Sequence, residues 1–158
     1  MESTTTLSNN WKLAICTIIC QATGIISGLL TTTQNNVWYD TIIKPSWNPP
    51  GYLFGPIWTI LYLLMAISLW IIWKSNYPEN QKKLASYFFA AQLFLNFWWS
   101  ILFFKFHSPM VALFEIIVMI ILIFLTILRF AEISKTAAWL LVPYISWVLF
   151  AAILNYNL

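Results

Sequence analysis

The sequence predicts an all-α integral membrane protein, a five-transmembrane-helix bundle without a soluble domain. Two observations carry that expectation. Only 8% of the 158 residues are charged while 61% are hydrophobic, with a mean hydropathy of +0.77; a soluble domain carries about a quarter charged residues. So little polar surface suits hydrocarbon rather than water. The apolar residues also gather into five runs, 13–30, 51–73, 84–104, 109–130 and 137–154, each near the roughly 20 residues that a bilayer crossing needs. No internal repeat and no linker divides the chain, so 1–158 reads as one membrane domain.

The first run is expected to be retained as a helix. The stretch before it is polar and carries Glu2 rather than a basic cluster, and no small-residue cleavage site follows. Cys16 and Cys20 share a helix face, but with no His or third Cys beside them they read as apolar packing residues. Gly24-Ile25-Ile26-Ser27-Gly28 is a small-xxx-small pattern that lets a second helix approach closely, from this chain or from another copy.

The connection 31–50 is the longest. It holds Trp38-Tyr39-Asp40 and Lys44-Pro45-Ser46-Trp47-Asn48-Pro49-Pro50. Its three prolines lack backbone donors and push their predecessors towards extended conformations. A stiff, non-helical loop that lies over the bundle mouth is the expectation. Asn48 is placed to cap the second helix, with Pro49 in its first turn.

Inside the second run, Phe54, Trp58, Tyr62 and Met65 fall on one face. The third run places Gln92, Asn96 and Ser100 at intervals of four, with Trp99 nearly on the same face. An amide facing lipid costs several kcal/mol unless hydrogen-bonded, so this stripe is expected to face the interior. It serves there either as interhelical glue or as the polar wall of a ligand pocket. The fourth run follows the sole histidine, His107, and carries Glu115 about two turns in. An intramembrane carboxylate marks a functional site by default, though this one is also near enough to a helix end to be hydrated. The fifth run presents Tyr144, Trp147, Ala151 and Asn155 along one face. Aromatic stripes at helical spacing serve core packing as readily as ligand binding. Three of them in one small bundle favour a cavity for a flat apolar ligand with polar edges.

Of the ten tryptophans, Trp11, Trp38, Trp70, Trp73 and Trp139 fall near the expected interfaces, where aromatic belts form. Trp58, Trp98, Trp99 and Trp147 lie deeper, where an indole N–H needs a partner. The net charge of +3 is scattered, with no basic face for nucleic acid. Lys12, Lys74, Lys82, Lys83, Arg129 and Lys135 fall on one side and only Lys44 and Lys105 on the other. The positive-inside rule then places the N-terminus in the cytoplasm, with the first loop and the C-terminus outside.

The loop from Trp38-Tyr39 through Lys44-Pro45-Ser46-Trp47-Asn48-Pro49-Pro50 runs into Phe54-Gly55-Pro56-Ile57-Trp58-Thr59-Ile60-Leu61-Tyr62. This resembles the first loop and second helix of the tryptophan-rich sensory protein and translocator protein family, TspO. Gln92-x-x-x-Asn96-x-x-Trp99-Ser100-x-Leu102-Phe103-Phe104 is similar to its third helix, and Glu115 falls where the family tends to be acidic. Trp139-Leu140-Leu141-Val142-Pro143-Tyr144-x-x-Trp147 with Phe150-Ala151-x-x-Leu154-Asn155 is similar to its fifth. The matches come in order and cover nearly the whole chain in the style of bacterial members, which implies a bacterial cell membrane.

The resemblance implies a five-helix bundle that often dimerises, with a pocket beneath the first loop. Its ligands would be porphyrins such as protoporphyrin IX and synthetic benzodiazepine-type or isoquinoline carboxamide compounds; no cofactor and no metal is implied. Carried over position by position, the pocket would be lined by Tyr39, Pro49, Phe54, Trp58, Tyr62, Gln92, Asn96, Trp99, Trp147 and Ala151. Animal members also bind cholesterol through a Tyr followed by a basic residue at the end of the fifth helix. Here Asn155-Tyr156-Asn157-Leu158 has no Lys or Arg, and only Val37-x-Tyr39-x-x-x-x-Lys44 fits the loose sterol pattern. Four functions stand side by side. The chain senses porphyrins by binding them, or breaks them down in light with Trp58 and Trp147 as the reactive residues. Alternatively it transports porphyrin or sterol, or it is a structural bundle whose pocket is incidental.

Overall fold

The computed structural model describes residues 8–31 and 37–157. In chain order it has α1 (Asn9–Thr31), a short α2 (Val37–Thr41), and a 3-10 turn (Gly51–Leu53) that runs into α3 (Phe54–Lys74). Then follow α4 (Glu79–Ser100), closed by a π turn (Ile101–Lys105), α5 (Pro109–Ile133), α6 (Lys135–Leu140) and α7 (Val142–Tyr156). Among the described residues, counting each continuous helical unit once, five are long and apolar enough to cross a membrane. Residues 32–36 of the expected first loop, the start of the chain before residue 8 and Leu158 lie outside the described residues.

The spans close into a ring. α1 packs along α3 and α4, α4 along α5, α5 along α6 and α7, and α6 returns to α3. Their outer faces carry Ile18, Ile25 and Leu29 on α1 and Phe114, Ile121 and Phe124 on α5, all exposed. Such residues suit a surface that meets acyl chains. The six basic residues of the richer set sit at one end of the ring. There Lys74 lies 3.8 Å over the Trp70 ring, Lys12 lies 5.6 Å over Trp73, and Trp70 Nε1 donates to the Asn9 carbonyl at 2.8 Å.

At that end the ring is tightly closed. Ser68 Oγ donates to the Ala137 carbonyl at 2.7 Å, joining α3 to α6. Met65, Ala66, Ala85 and Ala137 are wholly buried, and Phe89 stacks on Phe130 at 5.9 Å. Small side chains let the backbones approach. A single residue, Ser134, turns the chain between α5 and α6, with its Oγ accepting from the Ala137 amide at 3.3 Å.

The fifth span is broken at Leu141, between α6 and α7. Pro143 explains the break: it has no amide hydrogen, and its ring excludes the carbonyl four residues back, on Trp139. Beyond the break α7 departs from α3, which α6 had followed closely. The bundle therefore opens at the end that bears the first loop.

Two loop expectations need correction. The stretch around Trp38 and Tyr39 is a turn and a half of helix, not an extended loop, because its proline restrictions begin only at Lys44. Asn48 does not cap the second span. Its Nδ2 donates to the Pro49 carbonyl and its Oδ1 accepts from Tyr39, while Pro50 precedes the 3-10 turn without a side-chain cap.

Candidate ligand cavity

The opened half of the ring encloses a cavity of about 1460 Å³. Its floor is a hydrogen-bonded layer across three helices. Tyr62 of α3 donates to Asn96 Oδ1 of α4, Asn96 Nδ2 donates to the Tyr144 hydroxyl of α7 at 3.0 Å, and Tyr144 donates to Gln92 Oε1 at 2.6 Å. Asn96 thus both ties the helices together and lines the cavity, whereas Gln92 only ties them.

Aromatic rings make the walls. Trp58 lies 5.5 Å from Tyr62 and 6.4 Å from Tyr144. Trp147 packs 6.1 Å from Phe54, one turn before Trp58 on α3, and 5.2 Å from Phe150. Trp99 is held by its indole, which donates to Asn155 Oδ1 at 3.2 Å, while Asn155 Nδ2 donates to the Pro109 carbonyl at 3.0 Å. That pair locks α4, α5 and α7 together at the open end. Such a wall offers flat apolar faces with a few placed polar groups.

The first loop forms the roof. Trp38 stacks on His107 at 4.5 Å, and Tyr39 leans on Phe104 at 5.3 Å. Lys44 sits 4.4 Å over the Tyr39 ring, and Tyr39 donates to Asn48 Oδ1 at 3.5 Å. Burial pushes the Tyr39 phenol above its ordinary value; its bond to Asn48 works against this and the charge of Asp40 adds to it. The roof rests on the π turn, whose extra residue per turn directs both Phe103 and Phe104 to the cavity. His107 completes the seat with φ 52°, a left-handed conformation that His adopts more readily than bulkier residues.

Tyr39, Pro49, Phe54, Trp58, Tyr62, Asn96, Trp99, Trp147 and Ala151 all line this one cavity. Gln92 does not. It lies fully buried behind the floor, where it accepts from Tyr144. Trp98, placed by its position among the deep tryptophans, faces outwards beside Phe94 and Phe97 at 38% exposure. Gly24 lets a helix of this chain approach: a Cβ there would overlap the Tyr62 ring, 2.8 Å from Cδ2, whereas one on Gly28 meets nothing within 4 Å. Gln21 also lines the cavity, and its Nε2 donates to the Thr59 carbonyl at 3.0 Å beside that contact.

Sequence reasoning missed Phe103 and Phe104 as lining residues, because nothing in a hydropathy pattern marks a π turn. It missed Gln21 although a glutamine in the first apolar run was a visible signal. Among the described residues no three His, Cys, Asp or Glu side chains converge. The site's chemistry is that of aromatic faces and neutral hydrogen-bonding groups, with the charges of Asp40 and Lys44 confined to the roof.

Comparison with known proteins agrees with this architecture. The profile of the TspO/MBR family matches residues 16–158. The chain is 42% identical to the tryptophan-rich protein TspO of Chlorobaculum tepidum over 146 residues, 92% of each chain. It is 40% identical to the TspO of Archaeoglobus fulgidus over 94% of this chain and 95% of that one. With the translocator protein of Bos taurus it shares 31% identity over 90% of this chain and 85% of the other. Matching in sequence from the first span to the end, and built as five apolar helices, the chain is an integral membrane protein of the TspO/MBR family.

Proposed function

We propose that this protein binds a porphyrin-type tetrapyrrole in the cavity beneath the first loop, and through that binding has a sensing or regulatory role in tetrapyrrole or stress metabolism. The observation that carries the reading is the cavity itself. At about 1460 Å³ it exceeds the roughly 300–1,000 Å³ of ordinary small-molecule sites. Trp58 and Trp147, both lining it, offer indole faces on which a flat macrocycle can stack. Asn96 on the floor offers hydrogen bonds within the cavity, and Lys44 at the roof a cation for a carboxylate edge. Synthetic benzodiazepine-type or isoquinoline carboxamide ligands would occupy part of the same space. The six-to-two basic distribution supports a cytoplasmic closed end and an outward-facing roof, in a bacterial cell membrane. A homodimer would form through the exposed apolar helix faces.

Light-dependent breakdown is the second reading, favoured by Trp58 standing against both Tyr62 and Tyr144. There, an excited porphyrin would take one electron from an indole, leaving a porphyrin radical anion and an indole radical cation. Dioxygen would be the co-reactant for ring opening.

Titration of the purified protein with protoporphyrin IX in the dark, followed by illumination, tests both. Saturable dark binding is expected, weakened about tenfold or less in Trp58→Phe and Trp147→Phe, since aromatic contacts contribute about 0.5–1.5 kcal/mol. The absence of dark binding to the wild type would overturn the proposal. Light-driven loss of absorbance that both variants abolish would favour breakdown.

A further inference from the structure

Three glycines lie in α1 and α3, and only one has a contact that explains it. At Gly24 the Tyr62 ring takes the space of a Cβ. Among the described residues, a Cβ on Gly28 or on Gly55 would meet nothing within 4 Å. A glycine inside a helix makes it less stable than alanine would, so a position with room for a side chain and none to fill it is unusual. Both glycines line the cavity.

The two stand on facing helices. Trp70 of α3 reaches Asn9, and Gln21 reaches Thr59, so α1 and α3 run antiparallel. About two turns past Gln21, this register brings Gly28 opposite the first turn of α3, where Gly55 lies. Thr59 does not bridge the gap, because its hydroxyl turns back to the Gly55 carbonyl at 2.9 Å. At this end α1 packs on the π turn instead.

The gap leads outwards. Ile25 and Leu29 are 60% and 74% exposed on the face of α1 that suits acyl chains, and both also line the cavity. So do Pro56 and Thr59, exposed on α3. Residues that belong both to the lipid-facing surface and to the cavity wall mark where one runs into the other. The roof, by contrast, is seated on stacked rings, Trp38 on His107 and Tyr39 against Phe104.

We infer that the gap between Gly28 and Gly55 is a lateral window, through which a flat apolar ligand dissolved in the bilayer enters the cavity. Gln21 and Thr59 form its sill. A planar ring slides in edge-on between two backbones that carry no side chains there. A tetrapyrrole in the bilayer keeps its carboxylates at headgroup level, and Lys44 lines the cavity at the roof, near that height. Entry from the side therefore spares those charges a passage through hydrocarbon, where they are costly. That a tetrapyrrole is the molecule admitted rests on the proposed function; the window itself does not.

Two measurements on the full-length protein in lipid discs test it. The first needs no ligand. Nitroxides are attached to Gly28→Cys, to Gly55→Cys and, as a lipid-facing reference, to Leu29→Cys; the native Cys16 and Cys20 are buried. Collisions with oxygen, which concentrates in hydrocarbon, are compared with those of a water-soluble nickel chelate. Gly28→Cys and Gly55→Cys should match the oxygen preference of Leu29→Cys. Poor access for both agents, or a greater preference for nickel than at Leu29→Cys, would overturn the window.

The second follows protoporphyrin IX binding in time. A window governs passage both ways, so Gly28→Leu and Gly55→Leu should slow association and release alike. Rates about tenfold slower are expected, with Kd, their ratio, changed less than about threefold. Unchanged rates, or a weaker Kd with faster release, would overturn entry at this place. If the wild type bound no porphyrin, the proposed function would fall, while the nitroxides would still decide the window.

Discussion

The two ends of this bundle are built from the same five spans and solve opposite problems. At the end bearing Lys135, alanines and Ser68 let α3 and α6 meet, and the Phe89–Phe130 stack fills what remains. At the roofed end, α3 and α7 present Trp58, Tyr62, Tyr144 and Trp147, rings too large to let the backbones meet. Amide hydrogen bonds hold those helices at a distance instead of drawing them together. Side-chain size at the helix contacts, not hydrophobicity, separates a closed core from a cavity. Both halves are apolar, and in lipid an apolar surface gives no preference for association, so packing and polar contacts decide.

The comparison is broken most severely in the closed half. Phe130→Ala removes a wholly buried ring and should cost about 3–5 kcal/mol. It would show as a large fall in melting temperature, with porphyrin affinity of the remaining folded protein little changed. If affinity fell in proportion, the halves would not be independent.

A matched pair of glycines sharpens it next. Gly24→Ala drives a methyl group into the Tyr62 ring, which cannot retreat without leaving Asn96. A cost of about 1–3 kcal/mol is expected from such overpacking, together with weaker porphyrin binding. Gly28→Ala, one turn further into the open half, meets nothing within 4 Å and should raise the melting temperature slightly, since alanine is favoured over glycine inside a helix by up to about 1 kcal/mol. Equal effects from the two would contradict the tapering of the α1–α3 contact.

The smallest effect belongs to the roof. Lys44→Met removes a cation 4.4 Å over Tyr39, a contact of about 0.5–1 kcal/mol at an exposed site. Its loss should lower the melting temperature slightly. Loss of the cation for a carboxylate edge, about 0.2–1 kcal/mol for an exposed pair, should weaken porphyrin binding up to about fivefold, an effect that shrinks in high salt. Salt-independent behaviour would remove Lys44 from the roof's function.

The five spans were legible because hydrocarbon imposes a length and a composition on any helix that crosses it. The interior stripes were legible for a related reason. Gln92, Asn96 and Tyr144 cannot face lipid, so their helical spacing alone points them inwards. What each does inside was not legible. Asn96 reaches the cavity while Gln92, one turn away, is sealed behind Tyr144, and that difference depends on where α7 lies. Asn48 reads as a cap until Tyr39 takes its oxygen from across the loop.

The sequence by itself determined how many times the chain crosses the bilayer and which residues had to face the interior, because the cost of a polar group in hydrocarbon is paid locally. Only the tertiary structure decided that the interior is half core and half cavity. That outcome follows from the break at Leu141, the π turn after Ser100 and the close contact at Gly24. Each takes its meaning from a helix distant in sequence, and no pattern along one segment encodes the distance at which another stands.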